Sequence, residues 1–315
     1  MNILVVGGAG YIGGALTDLL ARSKHNFRVY DALLYEESYR KQVDFVYGDI
    51  RDKTRLSPQL KWADIVVWLA ALVGDGACAL NPKISKAINV DTVKWLAQNY
   101  DGRIFFISTC SIYGDQDGIL DESSQTMPIS TYAVTKLSAE RYLSNKNAII
   151  FRSGTLFGVG DLFSRIRLDL VLNTLVAQAY QNGRVTIFGG NQFRPILHVN
   201  DIANAILDNL FTNVNGIFNI HNQNIRIIDL AYQIQKHFPN LIIEQTEAKF
   251  EDARNYRVSS EKAKNILGFK CRHQIDDGII EIKQLLQSGR IKPIDNPRYN
   301  NENYLSTHIK NICKL

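Results

Sequence analysis

Apolar and polar positions along this chain follow two rhythms. Short, nearly unbroken runs of β-branched and aromatic residues alternate with longer segments whose apolar positions recur every three or four residues. "ILVVG", "FRVYD", "VDFVYGD", "DIVVWLAA", "RIFFIST" and "AIIFRSG" read as strands; "YIGGALTDLLARS", "ISKAINVDTVKWLAQNY" and "YAVTKLSAERYLSN" read as helices. Unbroken apolar strands are what a parallel sheet covered by helices on both faces requires. The alternation therefore predicts an α/β fold, a doubly wound parallel sheet, over residues 1–162.

Beyond about residue 160 the rhythm changes. A helix "LDLVLNTLVAQAYQNG" leads to a short strand "VTIFG", and further helices ("HVNDIANAILDNLF", "RIIDLAYQIQKHF", "SSEKAKNILG", "DDGIIEIKQLLQSG") alternate with the brief strands "GIFNI" and "LIIEQ". The pattern predicts a smaller α/β domain over 163–292, with some segments returning to the main sheet, and a polar tail over 293–315 that wraps the surface or hangs partly loose.

Composition narrows the picture only a little. The 315 residues are 45% hydrophobic and 21% charged, the balance of a globular chain. A net charge of +5, spread thinly, suits small anionic ligands and offers no basic stripe for nucleic acid. No run approaches the roughly 18 apolar residues of a membrane span. The four cysteines stand far apart without a CxxC pair, which argues against a disulfide framework or a metal site and for a reducing cytoplasm.

Two short windows carry chemistry. "GGAGYIGG" places Gly7, Gly10 and Gly13 between a strand and a helix, where small residues let the backbone approach a pyrophosphate and the helix N-terminus offers free N–H groups. Asp31 closes the next strand, roughly 20 residues on, where an acid binds the adenosine ribose and repels a 2′-phosphate; NAD is expected over NADP. Asp49 and Ile50 follow the third strand, beside the place an adenine ring would take. In the second window, "STCSIYG" ends a strand and "YAVTK" opens a helix. Tyr132 and Lys136 share a helical face, so the lysine ammonium is expected to lower the phenol's pKa and make it a base, with Thr109 orienting the same substrate hydroxyl.

In these motifs, together with "LAALVG", "NVDT", "FRPILHVNDIA" and "DARNYRVSSEKAKNILGF", residues 1–290 resemble the extended short-chain dehydrogenase/reductases that act on sugar nucleotides. The resemblance implies a Rossmann domain holding NAD, a second domain for a nucleotide-diphosphate sugar, and a homodimer built on the helices near 84–99 and 130–145. It implies Thr109, Tyr132 and Lys136 as catalytic residues, with Ser111 beside them. Tyr11, Ile12, Leu69, Ala70, Ala71 and Asn89 join the expected cofactor contacts; Val73, Thr155, Asn173, Arg194, Asp252, Arg254 and Arg257 are the expected substrate contacts.

Relatives that eliminate, decarboxylate or enolise carry Glu or Cys two positions after the catalytic Thr/Ser. This chain has Ser111, and Cys110 is expected to be a buried bystander. That points to oxidation at carbon 4, as in a 4-epimerase. Net 4-dehydrogenation, for example of a GDP-heptose, stays open, because the loop "LVGDGACALNP" and Thr155 both depart from simple hexose epimerases. A 4,6-dehydratase and a catalytically silent NAD-binding protein are the remaining alternatives. His198 is expected to be structural, and Asp201 to help cap the helix that follows it.

Overall fold

The computed structural model describes residues 1–247, 254–291 and 293–314. Seven parallel strands form the central sheet, in the spatial order Gly216–Ile220, Ala148–Ser153, Arg103–Thr109, Ile65–Trp68, Asn2–Val6, Asn26–Asp31 and Asp44–Tyr47. The chain winds outward over its first three strands, then crosses back to Ile65–Trp68. That reversal opens a crevice at the carboxyl ends of Asn2–Val6 and Ile65–Trp68, where ligands of doubly wound sheets bind.

Ile65–Trp68 and Ala148–Ser153 are buried at every residue, as their unbroken apolar runs require. On one face the helix Tyr11–Ala21 packs beside Val199–Asn209, burying Leu16, Ile202 and Ile206 against Phe105 and Phe151. On the other, Leu56, Leu96 and Leu143 cover Trp68, Phe106 and Ile150. The helix expected over "ISKAINVDTVKWLAQNY" is a continuous run with a π turn, Ala87–Asp91, inside it. The helix Lys53–Trp62, absent from the sequence expectation, starts where Asp52 accepts the N–H groups of Thr54 and Arg55 at 3.1 Å each.

The second half has its own core, in which Leu172, Val176, Ile187, Ile234 and Ile279 meet. Around it lie a three-stranded sheet (Gln223–Arg226, Phe193–His198, Thr155–Phe157) and a pair of parallel strands, Arg184–Phe188 and Ile242–Thr246. Val199–Asn209, Gly216–Ile220 and Glu261–Leu267 return to the main sheet.

One local expectation is corrected. Asp201 does not cap Val199–Asn209: the His198 ring accepts the Asn200 N–H, while Asp201 receives the backbone N–H groups of Arg272 and His273 and the His273 ring. Much of the stretch beyond residue 293 is a helix, Asn301–Lys314, with Leu305 and Ile312 buried. Among the described residues no helix is long and apolar enough to cross a membrane, and no group of three His, Cys, Asp or Glu could hold a metal ion.

Candidate active site

A cavity of about 770 Å³ runs along the carboxyl edge of the sheet, from Gly7 and Asp31 past Thr109 and Tyr132 to Phe188 and Arg194. At its first end the glycines are sterically required. Gly7 has φ +88°, and a Cβ there would lie 2.5 Å from the Ala70 nitrogen. One on Gly13 would lie 2.5 Å from the Gly7 carbonyl oxygen. Asp31 accepts the Ala9 N–H at 3.0 Å and the Leu33 N–H at 2.7 Å, fixing the turn to the second strand. Burial pushes its carboxyl pKa up, and those N–H groups work against the rise.

The central wall is built by one strand end and one helix start. Thr109 is the last residue of Arg103–Thr109, and its hydroxyl accepts the Ser111 N–H at 3.1 Å, starting the 3₁₀ turn Cys110–Tyr113. Ser130 caps the helix Thr131–Leu143 by accepting the Ala133 N–H, and its hydroxyl donates to Asp75 at 2.6 Å. Tyr132 thus sits in the first turn, with Lys136 one turn further on the same face. Thr109, Ser111, Tyr132 and Lys136 all line the cavity. Cys110 does not line it; its thiol is buried and donates to the Arg152 carbonyl at 3.1 Å.

The electrostatics differ from the sequence expectation at Tyr132. Burial raises the phenol's pKa; the largest lowering charge is Arg167, and a hydrogen bond with the Thr109 hydroxyl adds to it. Burial also draws Lys136 down to about 8. Its Nζ donates to the Ile107 carbonyl at 2.7 Å and lies 4.7 Å from the Phe106 ring centre. In the chain by itself desolvation outweighs the neighbouring charges, so Tyr132 rests as a protonated phenol.

Of the expected cofactor and substrate contacts, Tyr11, Ile12, Asp49, Ile50, Leu69, Ala70, Ala71, Val73, Thr155, Arg194 and Arg254 line the cavity. Among the described residues, three expected contacts do not fall there. Asn89, turned inward by the π turn, accepts the Leu72 N–H and donates to the Leu72 carbonyl and Thr135, so it holds the loop instead of forming the wall. Asn173, also buried, accepts the Gly158 N–H and donates to the Arg167 carbonyl at 2.9 Å. The Arg257 guanidinium stacks 5.1 Å from the Phe193 ring centre. Asp252 lies outside the described residues.

The sequence of this site fits a known family. Residues 3–220 match the family described as NAD dependent epimerase/dehydratase. The chain belongs to that family. It is 28% identical to a UDP-glucose 4-epimerase of Halalkalibacterium halodurans, over 89% of this chain and 94% of that one. UDP-glucuronic acid decarboxylase 1 of Danio rerio is 24% identical, over 88% of this chain and 71% of the relative. Among solved structures, a UDP-glucuronic acid 4-epimerase of Bacillus cereus in complex with UDP-glucuronic acid and NAD matches with a TM-score of 0.78 at 24% identity, over 91% of this chain and 99% of that one.

The glycine-turn end fits the NAD of this epimerase/dehydratase family. Gly7 and Gly13 leave it free of side chains, Asp31 lines that end of the cavity, and the cavity-lining Tyr35 carries a buried hydroxyl without a hydrogen-bond partner. Replacing Asp31 by Ser should raise the affinity for NADP relative to NAD by about ten-fold or more, since a carboxylate beside a 2′-phosphate is a like-charge contact costing several kcal/mol. Titration of both cofactors against both proteins checks it, and equal affinities in the wild type would contradict the role of Asp31.

Sequence reading missed several wall residues. Arg165 and Arg167 line the cavity from the loop "FSRIRLD", and Arg167 forms a two-point pair with Asp169 at 3.0 Å. Asp75 reaches Arg254 at 3.0 Å, and Arg254 in turn donates to the Ser111 hydroxyl at 2.8 Å. Asn300, Asn301 and Glu302 come from the last helix and the residue before it. No motif marks any of them.

Proposed function

We propose that this chain oxidises carbon 4 of a nucleotide-diphosphate sugar and returns it as the 4-epimer. The observation that carries this reading is the chemistry beside Thr109 and Tyr132. Ser111 stands there with Arg254 donating to its oxygen at 2.8 Å, and Asp75, the acid that reaches the same arginine, is held by it and by Ser130. Elimination or decarboxylation calls for a further group free to move a proton beside the sugar. A hydroxyl already accepting from arginine and a paired carboxylate are poor candidates.

In this reading Gly7, Gly10 and Gly13 admit the pyrophosphate of NAD and Asp31 meets its ribose. NAD held there would supply reversible hydride acceptance from carbon 4. Tyr132, whose phenol pKa the Lys136 ammonium and the positive charge brought by bound NAD would together lower, takes the proton of the 4-hydroxyl as phenolate and later restores it, and Thr109 orients that hydroxyl. Arg194 and Arg254, both on the cavity wall, supply planar forks for the substrate diphosphate. Two copies pair through the helices Thr92–Asn99 and Thr131–Leu143, whose outer surface exposes Val134 and Tyr142.

Net oxidation is the second reading, kept open by the loop "LVGDGACALNP" and by Thr155, both of which depart from simple hexose epimerases. The test incubates the protein with UDP-, GDP-, CDP- and dTDP-sugars and follows products by NMR, with and without a 2-oxo acid as hydride acceptor. Conversion of one sugar to its 4-epimer without acceptor is the expected result. Product that forms only with an acceptor supports net oxidation, and loss of water or carbon dioxide contradicts both.

A further inference from the structure

The last helix, Asn301–Lys314, and the turn before it, Pro297–Tyr299, lie against the rim of the cofactor cavity. Asn301 is buried and ties three neighbours. Its N–H donates to Asp169 at 3.0 Å, its side-chain amide donates to the Val73 carbonyl at 2.7 Å, and its side-chain oxygen accepts from Arg165. The turn adds further ties: Arg165 donates to the Arg298 carbonyl at 2.7 Å, the Leu168 N–H to the Tyr299 carbonyl at 2.8 Å, and Arg298 pairs with Glu36 at 3.0 Å.

Apolar contacts follow the same course. The Tyr304 ring meets Tyr35 at 5.2 Å between centres, and Leu305 and Ile312 are buried in the core that also holds Leu72 and Cys78, with Tyr132 packed against it. The Glu302 carboxylate fills the space over Gly76, where a Cβ would collide with it. One segment therefore binds three separate loops: 33–36, which follows the second strand; 73–76, which follows the fourth; and 165–169. All three contribute to the cavity wall, and the Tyr35 hydroxyl, buried without a hydrogen-bond partner, belongs to the same rim.

We propose that residues 297–312 form a strap that completes the cofactor site, with Asn301 as its positioning residue, and that the strap holds the dinucleotide through successive turnovers. The proposal rests on reading the glycine-turn end as the NAD site. Hydrogen bonds to three loops must loosen, and Leu305 and Ile312 must be uncovered, before the rim can part. A retained cofactor suits a reaction that ends each cycle with the cofactor in its starting redox state, as 4-epimerisation does.

The test uses the full chain, Asn301→Ala, and a chain lacking 297–315. Each is loaded with NADH, and release is followed by the loss of bound-NADH fluorescence on mixing with excess NAD; uptake is followed in the reverse mixing. The strap predicts that both release and uptake quicken by about ten-fold or more in Asn301→Ala, about 1.4 kcal/mol off each barrier, while Kd changes by less than about three-fold. A merely structural role for Asn301 would weaken binding without quickening uptake, and that result overturns the proposal. So do release and uptake within two-fold of the full chain. If the shortened chain does not fold, Asn301→Ala decides the matter by itself. A full chain that binds no NADH overturns the cofactor assignment beneath the proposal, a failure distinct from unchanged rates in a chain that does bind.

Discussion

Tyr132→Phe is expected to lower kcat by about 10²–10⁴-fold, the usual worth of a positioned acid–base group, with NAD affinity unchanged. The substitution removes one oxygen from a half-buried ring in the first turn of Thr131–Leu143. It leaves the glycine turn and Asp31, at the far end of the cavity, as they are. Thr109 still hydrogen-bonds the Ser111 N–H, so the strand end keeps its shape. What disappears is the atom that moves the proton. The pH profile of the wild type gives a second reading of the same machinery. Lys136, lowered by burial to about 8, is mostly charged at pH 7 and loses its proton as pH rises through that value. Its support for the phenolate goes with the proton, so the rate should fall on the alkaline side near pH 8. Turnover in Tyr132→Phe equal to wild type, measured with NAD saturating, would remove Tyr132 from the mechanism.

The parts of the site that could be read from sequence are those fixed within a short window. A glycine at φ +88° packed on the Ala70 backbone leaves its mark at one position, and a tyrosine and lysine four apart share a face wherever a helix forms. The strands were legible because a sheet covered on both sides imposes continuous apolar runs, and these run from Ile65–Trp68 to Ala148–Ser153. Lys53–Trp62 was not, because Pro58 interrupts it and only Leu56 and Leu60 are buried. Local pattern also fails where topology does the placing. Arg165, Arg167 and Asn301 reach the cavity from segments far along the chain, through contacts that no spacing encodes. Asn89 and Asn173 show the converse. Both are polar and close to the site in the chain's path, yet each turns away to satisfy backbone groups of a loop. The resting phenol of Tyr132 belongs here too, since desolvation depends on everything packed around it.

Arg152 directly precedes the cavity residues Ser153, Gly154 and Thr155, yet the fold sends its side chain into the core. Its Nη2 meets Glu140 Oε2 at 2.8 Å, with both side chains at 5% exposure or less. Glu140 also accepts from the Ser108 hydroxyl, and Arg152 donates to the Tyr113 hydroxyl at 2.9 Å. Burial works against the charge on Arg152, and Glu140 more than offsets it, so its pKa is raised overall. Glu140 stands one turn beyond Lys136, and Ser108 directly precedes Thr109, so this pair joins the helix that carries Tyr132 and Lys136 to the strand end that carries Thr109. Glu140→Ala should therefore cost about 3–5 kcal/mol of stability, because it strands a buried guanidinium without its counter-charge. Replacing both partners, as Glu140→Leu with Arg152→Met, should recover a large part of that loss, since no charge is then left buried alone. Urea unfolding of the single and double variants measures both quantities. A loss below about 1 kcal/mol for Glu140→Ala would place the pair among weak surface-like bridges, contrary to its burial. A double variant that regains stability but not turnover would show that the ion pair serves the register of Thr109 against Tyr132 more than it serves the stability of the fold.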